Sequence, residues 1–246
     1  YIKPYLTNVN YQISGKSPVI LDEQIDLEEV VQKVLWAKFL NVGQTCVAPD
    51  YILLPKSLEY AFINTMNVKL LEAFTDVPQR SRYYTRMVNM DHFDKVVGLL
   101  EDAIAKGAIP QSIYDYDRRD LYIGPQILSS IPDHAALNQE EILGPILPVY
   151  TYETMEDIVS FINNKPKALT QYIFSNDPNF YKTIVLKTQS GSVSVNNCLI
   201  QIMHPKLPFG STNSSGLAGS TGKYGFMNYS NVRPIIKNKK MAKSIK

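Results

Sequence analysis

The amino-acid sequence predicts an α/β fold, with three layers (α/β/α) around a mostly parallel sheet. Short apolar segments typical of buried strands alternate along the chain with longer segments typical of amphipathic helices, which is the pattern of βαβ units. The one Gly/Ser-rich stretch spans residues 207–225, and its lack of repetition favours a structured turn over a linker. We therefore expect one folded unit.

Strands and helices are predicted in alternation along the chain. The predicted strands are residues 17–21, 51–55, 146–152, 170–175 and 192–196. The predicted helices begin at Asp26, Ser57, Asp91, Glu153 and Asp177, and the predicted helix ends include Gly43, Gly107 and Gly191. Asp26 precedes Glu29 by three residues, as in a capping box. Pro178 follows Asp177 at the favoured first helical position.

The composition is that of an ordinary globular protein. The 246 residues are 45% hydrophobic and 20% charged, with a net charge of +2. Residues 231–246 hold six basic residues and no acidic one, so 19 basic and 23 acidic residues remain in the body, which predicts no nucleic-acid partner. No apolar run reaches the ~18 residues of a transmembrane segment. Two cysteines cannot build a disulfide framework, which suits a cytoplasmic protein.

Cysteine is the most plausible nucleophile in the sequence. Cys46 lies in GQTCVAPDY, between the first predicted helix and the second predicted strand, and we expect it beside the carboxyl ends of the strands, where α/β folds carry reactive groups. On spacing alone, however, a buried and inert cysteine is the favoured interpretation of Cys46, and Cys198 is given that structural role. The histidines lack metal-ligand spacing, so no metal site is predicted. His204, near the Gly/Ser stretch, is kept as a minor candidate.

The residues alone predict no cofactor site. Neither a GxGxxG nor a GxxxxGK[ST] pattern occurs. Glu140 and Glu141 precede the strand at 146–152. Adjacent glutamates at such a place usually form a solvated turn, although a carboxylate at a strand end can also bind the two hydroxyls of a ribose.

Four segments, in order along the chain, resemble motifs of the aldehyde dehydrogenase family. The segment QISGKSPVI resembles the family's ELGGKSPVI, and the segment NVGQTCVAPDYILL resembles the active-site cysteine segment of the class 3 and fatty-aldehyde branch. The segment QEEILGPILPVYTY resembles the EEIFGPVLPV motif, and the segment LPFGSTNSSG resembles the LPFGGxGxSG loop. The separation of Gln12 and Cys46, 34 residues, matches the family's spacing of base and nucleophile. The resemblance implies a catalytic domain at 1–230, an oligomerisation segment after about residue 197, and a basic tail at 231–246.

The resemblance also implies a reaction and its partners. The Cys46 thiolate attacks an aldehyde, and the resulting thioester is hydrolysed, with NAD or NADP as the cofactor. Glu141 matches the family's ribose-binding glutamate, and Leu143 stands where a phenylalanine usually lies beside the nicotinamide. A homodimer is expected. The resemblance covers the family's C-terminal half, so this chain alone is expected to need an N-terminal cofactor-binding half and to bind NAD or NADP weakly or undetectably.

Departures from the family motifs raise two alternatives. Gln12 stands at the position of the glutamate base, and a neutral amide cannot accept a proton at neutral pH. Ser14 and Ser211 each replace a motif glycine. One alternative is a structural pseudoenzyme that has lost turnover. The other is transfer of the acyl group from Cys46 to a thiol such as coenzyme A, which needs no water-activating base.

Overall fold

A computed structural model describes residues 11–13, 15–112, 114–217, 219 and 221–237. The strands of these residues are β1 Tyr11–Gln12, β2 Pro18–Leu21, β3 Tyr51–Pro55, β4 Ile109–Pro110, β5 Tyr116–Asp117, β6 Tyr122–Ile123, β7 Gln126–Ser129, β8 Ile146–Tyr152, β9 Ala168–Phe174, β10 Ser190–Val195 and β11 Gly216–Leu217. The α-helices are α1 Leu27–Phe39, α2 Glu59–Phe74, α3 Met90–Ala105, α4 Met155–Asn163, α5 Pro178–Lys187 and α6 Gly222–Asn228. Among these described helices, none is long and apolar enough to cross a membrane.

Seven strands form the main sheet, in the order β10-β9-β2-β3-β8-β7-β4. Neighbouring strands from β10 to β7 run parallel, and the edge pair β7–β4 is antiparallel. This confirms the predicted mostly parallel sheet. Parallel strands all begin at one side of the sheet, so the segments that enter β2, β3 and β8 are neighbours in space. We call that side the amino edge.

Alternate residues of β3 show how both faces of the sheet are covered. Ile52 and Leu54 belong to the larger hydrophobic core, which also contains residues of α1, α2 and α3. Tyr51 and Leu53 face the other way, into a smaller core that contains residues of α4 and α5. Burial on both faces explains why this strand reads as a continuous apolar run. The predicted three-layer arrangement is confirmed.

The strand predictions agree closely with the structure. Those at 51–55 and 146–152 coincide with β3 and β8. Those at 17–21, 170–175 and 192–196 match β2, β9 and β10 to within two residues at either end. Buried strands are short apolar runs with sharp polar boundaries, so the sequence defines them well.

Two of the predicted helix caps are confirmed. Asp26 accepts a hydrogen bond from the Glu29 N–H at 3.0 Å, and Asp177 accepts one from the Asn179 N–H at 2.8 Å. The capping box itself is only half formed. The Glu29 carboxylate pairs with Lys33 at 2.5 Å along the helix instead.

Two other predicted caps are wrong. Asn89, and not Asp91, caps α3, because the Asn89 side chain accepts the His92 N–H at 2.8 Å. Asp91 lies inside the first turn of that helix. Ser57 lies in a 3-10 turn that precedes α2, and its hydroxyl donates to Glu23 at 3.3 Å. A cap needs an extended backbone just before the helix, which residue type alone does not specify.

Two helices end earlier than the glycines predicted. α1 ends at Phe39, four residues before Gly43. α5 ends at Lys187, and Gly191 lies within β10. An added Cβ at Gly191 would lie less than 3.0 Å from the Leu169 carbonyl oxygen. That glycine therefore permits a close approach between strands and does not end a helix.

Cys46 lies at the amino edge of the sheet, so the expectation that it lies beside the carboxyl ends of the strands is wrong. The chain leaves α1, passes through Cys46, and enters β3 five residues later. A loop that enters a strand lies at the beginning of that strand. Leu143 likewise precedes β8, so both residues lie at the same edge.

Candidate active site

The segment between α1 and β3 turns sharply before it reaches Cys46. Asn41, Val42 and Gly43 all have left-handed backbones, with φ of 52°, 48° and 77°. Valine rarely adopts this conformation, since its branched side chain crowds the backbone. At Gly43, an added Cβ would lie less than 3.0 Å from the carbonyl group of Gly144. The Cys46 loop is thereby packed against the segment that enters β8.

Gln44 fixes the Cys46 loop to the segment before α3. Its Nε2 donates to the carbonyls of Asn41 at 3.2 Å and Arg86 at 3.1 Å. Its Oε1 accepts the Val88 N–H at 2.9 Å. Both ends of the amide are therefore satisfied, and the loop is held by residues 42 and 44 positions away in the chain.

Cys46 borders an open cleft of about 490 Å³. Its side chain is partly exposed, and the Tyr172 hydroxyl donates a 2.6 Å hydrogen bond to the carbonyl of the next residue, Val47. The residues that line the cleft are Asn41, Gln44, Cys46, Arg86, Val88, His92 and Leu143. The volume suits a small-molecule site, and an accessible thiol is the first requirement of a cysteine nucleophile.

His92 also lines this cleft, and the sequence analysis missed it. It lies in the first turn of α3, and its Nε2 lies 2.8 Å from the Leu143 carbonyl oxygen. A carbonyl only accepts, so this geometry assigns the proton to Nε2. Leu143 has a φ of 47°, a strained conformation for leucine. The partners are 51 positions apart, and no sequence signal pairs them.

A buried ion pair joins the segments that enter β2, β3 and β8. Lys16 and Asp50 are each 3% exposed and form a direct ion pair. Lys16 Nζ also donates to the Glu140 carbonyl at 2.8 Å. The second carboxylate oxygen of Asp50 accepts the Ile142 N–H at 3.0 Å. Buried charges persist in folded proteins when they are paired and hydrogen-bonded in this way.

Lys38 adds another buried positive charge near the end of α1. Burial lowers the pKa of its ammonium to about 8, while the nearby Asp50 carboxylate opposes that shift. The positive charge of Lys16 lowers this pKa further, and Glu141 raises it. Glu141, which is half-buried, is therefore close enough to the Lys38 ammonium to interact with its charge.

Gln12 lies in β1, next to the Gly/Ser-rich stretch. Its backbone pairs with Gly216 of β11 in an antiparallel register. That stretch reaches the amino edge where β10 begins, because an added Cβ at Gly191 would lie less than 3.0 Å from the Gly210 carbonyl oxygen. Ser14 lies outside the described residues. The role of Gln12 toward Cys46 stays a prediction.

Cys198, expected to be structural, and His204, the minor candidate, both lie away from the cleft lining. Cys198 is fully buried in the larger core, and burial raises the pKa of its thiol. His204 is exposed, its Nδ1 accepts the Lys206 N–H at 3.3 Å, and it is not among the described residues that line the cleft. Across the described part of the chain, no group of three His, Cys, Asp or Glu side chains is arranged to hold a metal ion.

A second cleft of about 440 Å³ lies between α2 and the edge strand β4. Asn67 Nδ2 donates to the Gln111 carbonyl at 2.8 Å, and Gln111 Nε2 donates to the Ser129 hydroxyl at 2.7 Å. Its described lining contains no cysteine, histidine or lysine. The Cys46 cleft is therefore the better candidate for an active site.

The profile of the aldehyde dehydrogenase family matches residues 3–235, and the chain belongs to that family. It is 35% identical over 233 residues to the protein of Rattus norvegicus named aldehyde dehydrogenase, dimeric NADP-preferring, covering 94% of this chain and 50% of that protein. It is 36% identical over 231 residues to 4,4'-diaponeurosporen-aldehyde dehydrogenase of Staphylococcus aureus, with the same coverage. The chain thus spans about half the length of these curated relatives.

Solved structures agree with this relationship. The substrate-bound state of Staphylococcus aureus AldH superposes with a TM-score of 0.89 at 34% identity, covering 96% of this chain and 51% of that one. The chain is also 34% identical over 233 residues to aldehyde dehydrogenase family 3 member A2 of Pongo abelii, covering 94% of this chain and 47% of that protein. The resemblance to the class 3 branch is confirmed.

Proposed function

We propose that the protein containing this chain oxidises an aldehyde to a carboxylate with NAD or NADP, through a thioester on Cys46. The carrying observation is the partly exposed Cys46 side chain, which borders a small-molecule cleft on a loop fixed by the hydrogen bonds of Gln44. A fixed loop is what a nucleophile needs, because the reacting atoms must be held in attack geometry. Membership of the aldehyde dehydrogenase family supports the same reaction.

The first chemical step belongs to Cys46. Its thiolate adds to the aldehyde carbonyl carbon and gives a thiohemiacetal, whose oxyanion needs preorganised hydrogen-bond donors. The family resemblance gives this task to the Cys46 backbone N–H and to an asparagine in the N-terminal half. NAD or NADP, when bound, supplies the hydride acceptor that turns the thiohemiacetal into a thioester.

Leu143 lines the cleft, and Glu141 lies two residues before it in the chain; both fit the nicotinamide end of such a cofactor. Glu141 offers a half-buried carboxylate, and its two oxygens match the two hydroxyls of a ribose. Leu143 gives the cleft an apolar wall. Contact with this apolar wall would stabilise a bound nicotinamide ring, because it removes apolar surface from water. We propose these two residues as the cofactor contacts of this chain, with the remaining contacts on the N-terminal half.

Hydrolysis of the thioester is the step that Gln12 puts in question. Water at that position has no carboxylate to accept its proton, and a general base typically contributes ~10²–10⁴-fold. We expect an acyl group on Cys46 to persist, and Gln12→Glu to accelerate its release with little effect on acylation.

The test loads the complete protein with an activated ester and follows the acyl adduct by intact mass. Cys46→Ser is the control that should carry no adduct. Equal clearance by wild type and Gln12→Glu would mean that another group serves as base. Faster clearance on adding coenzyme A would favour acyl transfer, and failure of Cys46 to acylate would favour the pseudoenzyme.

We also propose a homodimer in the cytoplasm, with the segment after about residue 197 at the dimer interface. One relative is named as dimeric, and this segment exposes large apolar side chains, among them Met203, Phe226 and Tyr229. Light scattering of the complete protein at micromolar concentration tests the dimer, and a monomer would contradict it.

Calorimetry with NADP tests the weak binding expected of this chain alone.

A further inference from the structure

We propose that Lys16, Asp50 and His92 are positioning residues that clamp residues 140–143, and thereby set where Glu141 and Leu143 meet the cofactor. This inference rests on the proposed function. It concerns three side chains that the proposed chemistry does not itself use.

Three hydrogen bonds reach the backbone of three of the four successive residues 140–143. Lys16 donates to the carbonyl of residue 140 at 2.8 Å. Asp50 accepts from the N–H of residue 142 at 3.0 Å. His92 donates to the carbonyl of residue 143 at 2.8 Å. Glu141 lies between these contacts, so the path of the chain is fixed on both sides of its side chain.

The clamp draws its members from separate elements. Lys16 precedes β2, Asp50 precedes β3, and His92 lies in the first turn of α3. Lys16 and Asp50 are buried and paired with each other, so neither can give up the contact to residues 140–143 without leaving a polar group unsatisfied. The clamp is therefore stiff on the side of the ion pair.

The segment would not keep its shape without these contacts. Leu143 has a left-handed backbone with φ of 47°, which is unfavourable for leucine and persists only when the surroundings enforce it. The next residue, Gly144, is closely packed, since an added Cβ there would lie 2.7 Å from the Val96 side chain. His92 contacts the strained residue directly.

A purely structural role and a positioning role differ in what they change. Loss of a structural contact lowers the stability of the fold and leaves cofactor affinity unchanged in the folded fraction. Loss of a positioning contact loosens residues 140–143 and weakens cofactor binding of the folded protein. The free energy of unfolding and the cofactor affinity of the folded protein are measured separately, so the two roles can be told apart.

The central experiment compares His92→Gln with His92→Leu in the complete protein. Glutamine keeps an N–H donor of similar reach, whereas leucine has none. We expect His92→Leu to weaken NADP binding by about 10-fold, the upper end of what loss of one hydrogen bond typically costs. His92→Gln should restore most of the affinity. Urea titration of both variants gives the free energy of unfolding, and so the folded fraction to which the NADP affinities refer.

Hydrogen–deuterium exchange supplies a readout that needs neither aldehyde nor cofactor. The peptide that covers residues 140–143 should exchange faster in His92→Leu than in wild type. The ion pair is tested with the double variant Lys16→Met/Asp50→Leu, which removes both contacts to residues 140–143 and leaves neither of these two charges buried alone. In this double variant, too, the peptide that covers residues 140–143 should exchange faster than in wild type.

Unchanged exchange of this peptide in both variants would overturn the proposal, whatever the activity. Unchanged NADP affinity in a folded His92→Leu protein would overturn it as well. Wild-type protein without aldehyde oxidation, but with faster exchange and weaker NADP binding in His92→Leu, would refute the proposed function and leave the clamp standing.

Discussion

The two cysteines of this chain show how local structure decides whether a thiol can react. Cys46 precedes a strand, is partly exposed, and follows three residues with left-handed backbones. Cys198 follows a strand, is 0% exposed, and belongs to the larger hydrophobic core. Burial raises the pKa of Cys198, which suppresses its thiolate. The turn before Cys46 therefore leaves that thiol accessible, whereas the hydrophobic core around Cys198 makes its thiol unreactive.

The sharpest test of this difference is selective alkylation. With iodoacetamide at pH 8, Cys46 should react faster than Cys198 by a factor on the order of 10³ or more, because Cys198 is reached only through unfolding. Peptide mass spectrometry at short times gives both rates. In concentrated urea the two rates should converge. Comparable rates in the folded protein would contradict the assignment of Cys46 as the accessible thiol.

The turn before Cys46 can be broken with one methyl group. Gly43→Ala would place a Cβ against the Gly144 carbonyl at a φ of 77°, so we expect it to lower the free energy of unfolding by about 2–4 kcal/mol. Gly98→Ala is the matched control. A Cβ at Gly98, in α3, would meet nothing within 4 Å, and we expect a gain of about 0.5–1 kcal/mol. Urea titration measures both, and equal effects would contradict the packing described.

The buried ammonium of Lys38 makes the stability of the folded protein depend on pH. Burial lowers its folded-state pKa from 10.5 to about 8, so between these values the unfolded chain holds a proton that the folded chain has lost. Stability therefore rises as pH increases through this window. At pH 7 the folded state bears the full penalty, on the order of 3 kcal/mol.

We therefore expect Lys38→Met to be more stable than wild type at pH 7, by up to about 3 kcal/mol. The advantage should shrink as pH rises from 8 toward 10.5. Urea titrations at several pH values measure it. Lys182→Met, at an exposed position on α5, should show no such trend relative to wild type. An advantage that is constant with pH would mean that Lys38 does not titrate as described.

The sheet was largely predictable because its strands carry their own boundaries. The YILLP segment is apolar on both faces and ends at Pro55, so its limits are written locally. Helix caps were less predictable. Asn89, and not the nearby Asp91, caps α3, and the Ser57 hydroxyl donates to Glu23 and does not cap α2. A cap depends on the backbone entering the helix, which tertiary contacts decide.

The candidate site was predictable only in part. The family motifs name Cys46, Glu141 and Leu143, and the structure places Cys46 and Leu143 on one cleft. His92 carries no motif, and its contact with Leu143 spans 51 positions. The position of Cys46 at the amino edge was available from the sequence, because a residue that comes after a helix and before a strand must lie where that strand begins.

The ion pair of Lys16 and Asp50 has a consequence for how the protein is made. Its contact with Glu140 spans 124 positions, and β2 also pairs with β9, which ends only at Phe174. At ~5–20 residues per second, a ribosome adds Glu140 roughly 5–20 s after Cys46. During this interval the nascent chain carries a thiol without its cleft. Early protection of that cysteine then depends on the surrounding cell, since such distant pairings form slowly and late in folding.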